Sequence, residues 1–170
     1  MPCNQFPSTR RHKTWGHITI LFALIALTLT TLPTASFAGT DTAGNVLATD
    51  SDSNPSGVEG DLYWAGQSLN LDDASIDRDI IAAGDSLSIR DCTVGGAVRL
   101  AARTIDIAKT AIGGSVTVAG QHVVLNTDST ASCFYAAGET VALRGSAKSA
   151  ALAGDTVTID GTVDGNVEVW

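Results

Sequence analysis

Carboxylates are the most abundant side chains in this sequence that could do chemistry. Six fall close together: Asp72, Asp73, Asp77, Asp79, Asp85 and Asp91. Paired carboxylates can act as general acid and base when a polysaccharide is cleaved. However, Arg90 follows Asp72 by 18 residues, and Arg103 follows Asp85 by 18. If the fold repeats every 18 residues, each arginine stacks on its aspartate, so we interpret these residues as solvated charge ladders.

Histidine and cysteine offer no better candidates. His122 occupies a repeat position that elsewhere holds Ser or Thr, which predicts a polar turn. Cys92 and Cys133 lie more than two repeats apart, too far for a native bridge, and an intermolecular disulfide is the alternative. Neither a Ser–His–Asp set nor metal-ligand spacing is visible. We therefore predict no catalytic residue, no cofactor and no metal site.

The element that must position these residues is a repeat. An Ala-Gly pair returns every 18 residues, and the last pair follows after 16: Ala65-Gly66, Ala83-Gly84, Ala119-Gly120, Ala137-Gly138 and Ala153-Gly154. The repeats begin at Gly57, Ser75, Thr93, Ala111 and Ser129. Within each, apolar residues stand two apart, which is the strand period. A unit this short must stack on its neighbours, so residues 57–170 are predicted to form an all-β, single-stranded parallel β-helix of six to seven coils.

The N-terminal residues resemble an export signal. Basic residues precede a largely apolar stretch, Ile18 to Leu32, and small residues follow at Ser36 and Ala38. This order predicts a signal peptide over residues 1–38 that is cleaved after Ala38. The alternative is an uncleaved membrane anchor over residues 15–32. Residues 39–56, rich in Asp, Thr, Ser and Gly, are predicted to be a flexible tether.

Charge narrows the range of partners. The full chain has 18 acidic and 10 basic residues, a net charge of −8. Removal of residues 1–38 would take three basic residues and leave −11. So acidic a chain argues against nucleic acid and against anionic lipid. A membrane partner is expected only if the N-terminal segment stays uncleaved.

The ends of the predicted β-helix are candidate association surfaces, because an unprotected strand edge is a template for pairing. At the C-terminal edge, Val167 and Val169 continue inward columns, and Trp170 falls at a position that is otherwise alanine. Trp170 either covers the open core or helps to contact another molecule. Leu62, Tyr63 and Trp64 mark the first repeat in a similar way.

Three segments resemble the bactofilin, or polymer-forming cytoskeletal, family of bacteria. They are Asp61–Gly66, Ile81–Gly84 and the closing Asp-Gly-Thr-Val-Asp-Gly-Asn-Val run that ends at Val167. The resemblance covers about residues 57 to 170. It implies a right-handed triangular β-helix that polymerises end to end without nucleotide, has no enzymatic activity and serves as a scaffold. Usual members are cytoplasmic, whereas this chain carries an export signal.

Together these patterns predict a non-catalytic, self-assembling scaffold of the bacterial cell envelope, exported to the periplasm or cell surface. The expected partner is another copy of the chain, with envelope proteins or peptidoglycan-associated factors as further candidates. The alternative is an exported β-helix that binds or cleaves envelope polysaccharide.

Overall fold

The structure is a computed structural model that describes residues 39–49 and 55–170. These residues form fifteen strands and no helix. All the strand pairs are parallel except the first, and the strands stack into about seven turns of a β-solenoid with a spacing of about 18 residues. The predicted fold class and number of coils are confirmed. The right-handed sense remains a prediction from the family resemblance.

Each turn contributes to three stacked faces, which we name A, B and C in chain order. Face A contains the short strands β3 (Gly57–Val58), β6 (Ser75–Ile76), β8 (Thr93–Val94), β10 (Ala111–Ile112) and β14 (Thr162–Val163). Face B alone contains β2 (Val46–Thr49), β4 (Leu62–Ala65) and β15 (Val167–Val169), and face C alone contains β5 (Ser68–Asp72).

Five longer strands turn from one face onto the next. Three pass from face B to face C: β7 (Ile80–Arg90), β9 (Val98–Ala108) and β11 (Ser115–Leu125). Two pass through all three faces: β12 (Thr130–Leu143) and β13 (Ser146–Ile159). The bend from B to C lies at the Ala-Gly pair. A Cβ added at Gly154 would lie 2.6 Å from the Gly138 carbonyl oxygen of the preceding turn, so close stacking favours glycine there.

The core is a stack of aliphatic side chains along the solenoid axis. Its fully buried members include Leu62, Leu69, Ile80, Ile105, Phe134 and Leu143. Inward and outward residues alternate along each strand, as the apolar spacing predicts. Burying one such side chain contributes about 1.5–3 kcal/mol, and the total grows with each added turn.

The corner between faces C and A holds a left-handed residue in four successive turns. Its φ is +53° at Asp73, +51° at Asp91, +48° at Lys109 and +61° at Asp128. Asp tolerates this region better than most residues because its short side chain bonds locally, whereas Lys109 has no such compensation. The corner, not the side-chain charge, therefore repeats.

The fifth turn departs from the predicted register. Ala111 pairs with Thr130, not with Ser129, because the corner there has four residues where the earlier ones have three. Ala131 consequently fills the inward position, and Thr130 is exposed. The next two corners shrink to two residues, Arg144-Gly145 and Asp160-Gly161, which accounts for the 16-residue offset of Thr130 from Ser146. The predicted shortening is thus located at this corner.

Candidate functional site

The C-terminal edge of face B is formed by β15. Val167 and Val169 align with Ala150 and Leu152 of β13, so they extend the inward columns as predicted. The Trp170 amide donates to Leu152 O at 3.0 Å, and Gly154 N donates to Trp170 O at 3.2 Å. Alternate residues of a strand direct their backbone groups to opposite neighbours, so the amides and carbonyls of Val167 and Val169 point to the open side. Among the described residues, β15 pairs with no strand other than β13.

This edge is also apolar and exposed. The exposed fractions are 45% for Val167, 51% for Val169 and 60% for Trp170. Since both valines remain half exposed, Trp170 does not cover the end of the core. Of the two alternatives for Trp170, the plug is therefore not what the structure shows. The predicted residues do form one surface, which we call the C-terminal edge: Val167, Val169 and Trp170.

The N-terminal end of face B is closed. Strand β2 pairs in parallel with β4, adding a turn beyond it, and β1 (Gly39–Thr40) pairs antiparallel with the outer side of β2. The connecting loop is held by Asp41, whose carboxylate accepts bonds from Ala43 N at 2.8 Å and from Asn45 N at 3.0 Å. Asn45 Nδ2 also donates to this carboxylate at 2.9 Å. The side-chain bond from Asn45, followed by the backbone bonds, lowers the pKa of Asp41.

The predicted N-terminal association residues do not lie at an open end. Leu62 is fully buried and Trp64 is 5% exposed, because β2 covers their strand; only Tyr63, 37% exposed, reaches the surface. Leu62 and Trp64 are therefore unavailable for direct contact with another molecule, and their predicted terminal position is wrong. The range assigned to a flexible tether contains β1 and β2. The offset of 16 residues from Val46 to Leu62, not 18, concealed this turn from the repeat pattern.

A ladder of side-chain oxygens links the first turns, and the sequence analysis missed it. Asn45 Oδ1 accepts from Asp61 N at 2.8 Å, Asp61 Oδ1 from Asp79 N at 3.0 Å, and Asp79 Oδ1 from Ala97 N at 2.7 Å. An added Cβ at Gly60 would collide with Asn45 Oδ1, so glycine keeps this ladder close. The column of Asn and Asp at matching positions was the available signal.

The charge ladders are real but partly rearranged. Arg103 binds Asp85 through two bonds of 2.8 and 2.7 Å, as predicted. Arg90 aligns with Asp72, yet its ion pair is with Asp106 at 2.9 Å, so the predicted partner is wrong. The outward guanidinium at this corner extends toward the following turn, where Asn126 also donates to Asp106.

These pairs leave the carboxylates poorly suited to acid catalysis. The hydrogen bond from Arg103 lowers the pKa of Asp85. Burial acts to raise the pKa of Asp79, but bonds from Ala97 N and Arg99 outweigh it, and the net pKa is lowered. Both side chains are therefore ionised at neutral pH and are poor proton donors. No group of metal-ligating side chains occurs in residues 39–49 and 55–170.

The cysteine and histidine candidates have structural positions. Cys92 is a buried free thiol, so it is not bridged to Cys133. Its Sγ donates to Arg90 O at 2.9 Å and accepts from Ala74 N at 3.4 Å, so it occupies a corner as a small polar residue would. Burial raises the pKa of this thiol. His122 is exposed and aligns with Thr104 and Thr140, as predicted.

Comparison with known proteins found no matching family model, no matching curated protein and no matching solved structure. The resemblance to bactofilins therefore remains a prediction. The predicted signal residues Ser36 and Ala38 and the alternative anchor over residues 15–32 lie outside the described residues. Within the part of the chain that the structure describes, no helix could span a membrane.

Proposed function

We propose that this protein is a non-catalytic structural scaffold of the bacterial cell envelope that associates with further copies of itself through the C-terminal edge. The observation that carries the proposal is the combination of exposed apolar side chains and unpaired backbone groups at Val167 and Val169. Either feature alone is tolerated at a protein surface. Together they form the kind of edge that pairs with another strand.

The resemblance to bactofilins supports the same proposal, since it implies end-to-end assembly of β-helical rods. The export signal places the scaffold in the periplasm or at the cell surface. The ion-paired carboxylates favour a structural role over acid–base cleavage of a polysaccharide. Association through one end closes at a dimer, whereas association through both ends gives an open filament.

The test compares the purified protein with Val169→Asp by sedimentation velocity and negative-stain electron microscopy. We expect the parent to form rods joined end to end. The substitution buries a charge in any paired edge, so the variant should remain as single rods. Thermal melting of both proteins establishes that the variant is folded.

Ile81→Asp is the matched control. Ile81 is an exposed apolar strand residue, 38% accessible, but it lies on the side of face B and away from the C-terminal edge. We expect it to assemble like the parent. Single rods in the parent at every concentration would refute self-association, and loss of assembly only in Ile81→Asp would show that the rods associate side by side.

A further inference from the structure

The charge of this chain is unevenly distributed along the solenoid. The seven basic residues beyond residue 38 all lie between Arg78 and Lys148, where six acidic residues offset them. Residues 149–170 carry four acidic residues and no basic one: Asp155, Asp160, Asp164 and Glu168. Residues 39–77 carry eight acidic residues and no basic one. Both ends are therefore acidic, and the middle is nearly neutral.

The C-terminal carboxylates are uncompensated. All five ion pairs in the described residues lie between Asp61 and Lys109. The four acidic residues of the last turns are exposed, and none of them takes part in these pairs. Glu168 lies between the two valines of the C-terminal edge. Asp164 immediately follows the last strand of face A.

Any partner strand at this edge would lie about 4.8 Å away, which brings its own turn into the field of these carboxylates. Another copy presents an acidic end whether it offers its C-terminal or its N-terminal turns. Like charges opposed across paired strands are destabilising. Apolar burial and charge repulsion therefore act in opposite directions at the same surface.

Building on the proposed self-association, we infer that the joint between copies is gated by charge, so that low ionic strength holds the rods apart and salt screening lets them join. The Debye length falls from roughly 30 Å at 0.01 M salt to about 8 Å at 0.15 M. At the lower value only the nearest carboxylates still repel. The proposal concerns how the joint is regulated and does not require a bound ion.

The test measures the self-association constant of the purified protein by sedimentation at about 20 and about 500 mM NaCl, which span strong and weak charge interaction. We expect the dissociation constant to fall roughly tenfold or more across this range. The variant Asp164→Asn/Glu168→Gln should associate more tightly than the parent at low salt. Its salt dependence should be much flatter.

The control variant is Asp128→Asn/Glu139→Gln, which removes the same two charges from the turn that contains β12, about 10 Å further from the edge. Asn suits the left-handed position of Asp128. We expect this variant to keep the salt dependence of the parent.

Two outcomes would overturn the inference while leaving the proposed function intact. One is association of the parent that does not strengthen with salt. The other is an equal salt dependence in Asp164→Asn/Glu168→Gln, which would assign the effect to apolar burial. Failure of the parent to associate at any salt concentration would instead remove the proposed function, and this inference with it.

Discussion

The two ends of face B receive opposite treatment from the same repeat. At the N-terminal end, β2 covers the apolar turn and β1 pairs with its outer side. At the C-terminal end, β15 leaves two valines half exposed and its outer backbone groups unpaired among the described residues. The comparison teaches that a solenoid edge is closed by a few residues of antiparallel chain, and that the open end is then the place to look for association.

The largest expected effect tests burial at equivalent positions of the two ends. Leu62→Ala should lower the free energy of unfolding by about 2–5 kcal/mol, because it opens a cavity in the covered turn. Val167 lies in the same column but is exposed, so Val167→Ala should change it by about 0.5 kcal/mol or less. Urea denaturation at low protein concentration measures both. Equal losses would mean that the C-terminal turn is also covered in solution.

The second prediction opens the closed end. Asn45→Ala removes the oxygen that accepts from Asp61 N and the amide that holds the loop at Asp41, with an expected cost of about 1–2 kcal/mol. Hydrogen exchange of the backbone amides in β2 should accelerate. Asn166→Ala, in the same column at the other end, is the control and should leave β2 unchanged. If β2 exchanges at the same rate in Asn45→Ala and in the parent, the ladder does not hold this end closed.

The smallest prediction concerns pH. The folded pKa of Asp79 is lowered, so its contribution to stability is present above its unfolded pKa of about 3.9 and is lost as the pH falls through the folded value. Asp79→Asn keeps an oxygen for Ala97 N but loses the ion pair with Arg99, which should cost about 0.2–1 kcal/mol at neutral pH.

Urea denaturation of parent and Asp79→Asn at a series of pH values checks this. Their difference should shrink toward zero in acid. Asp155→Asn, an exposed acid of the C-terminal turns with no ion pair, should show no such dependence. A difference for Asp79→Asn that persists below its folded pKa would exclude the ion pair as its source.

Much of the fold could be predicted because stacking converts an 18-residue spacing directly into contacts. The inward columns, the Ala-Gly bend and the alignment of Val167 with its column followed from spacing alone. Turns of a different length escaped this logic. The corner before Thr130 has one extra residue, and the turn from Val46 to Leu62 has two fewer, so both fell out of register with the pattern.

The candidate site was only half predictable for a related reason. The C-terminal edge followed from where the repeat stops. The closing of the other end did not, because β1 and β2 are short and lie among polar residues that favour a loop interpretation. The partner of Arg90 was also missed, since alignment fixes the neighbouring backbone but not the direction in which a long side chain extends.

The shortened corners give the rod a property beyond its surface chemistry. Turns of 16 residues occur at both ends, from Val46 to Leu62 and from Ser146 to Thr162, whereas the middle turns use 18. The coil is thus narrower where copies would meet than in its middle. Two ends of equal perimeter can superpose all three faces, while a wider coil would overhang by about two residues, or roughly 7 Å of extended chain. Perimeter would then act as a gauge by which such rods, mixed with solenoids of other coil lengths, sort themselves by kind.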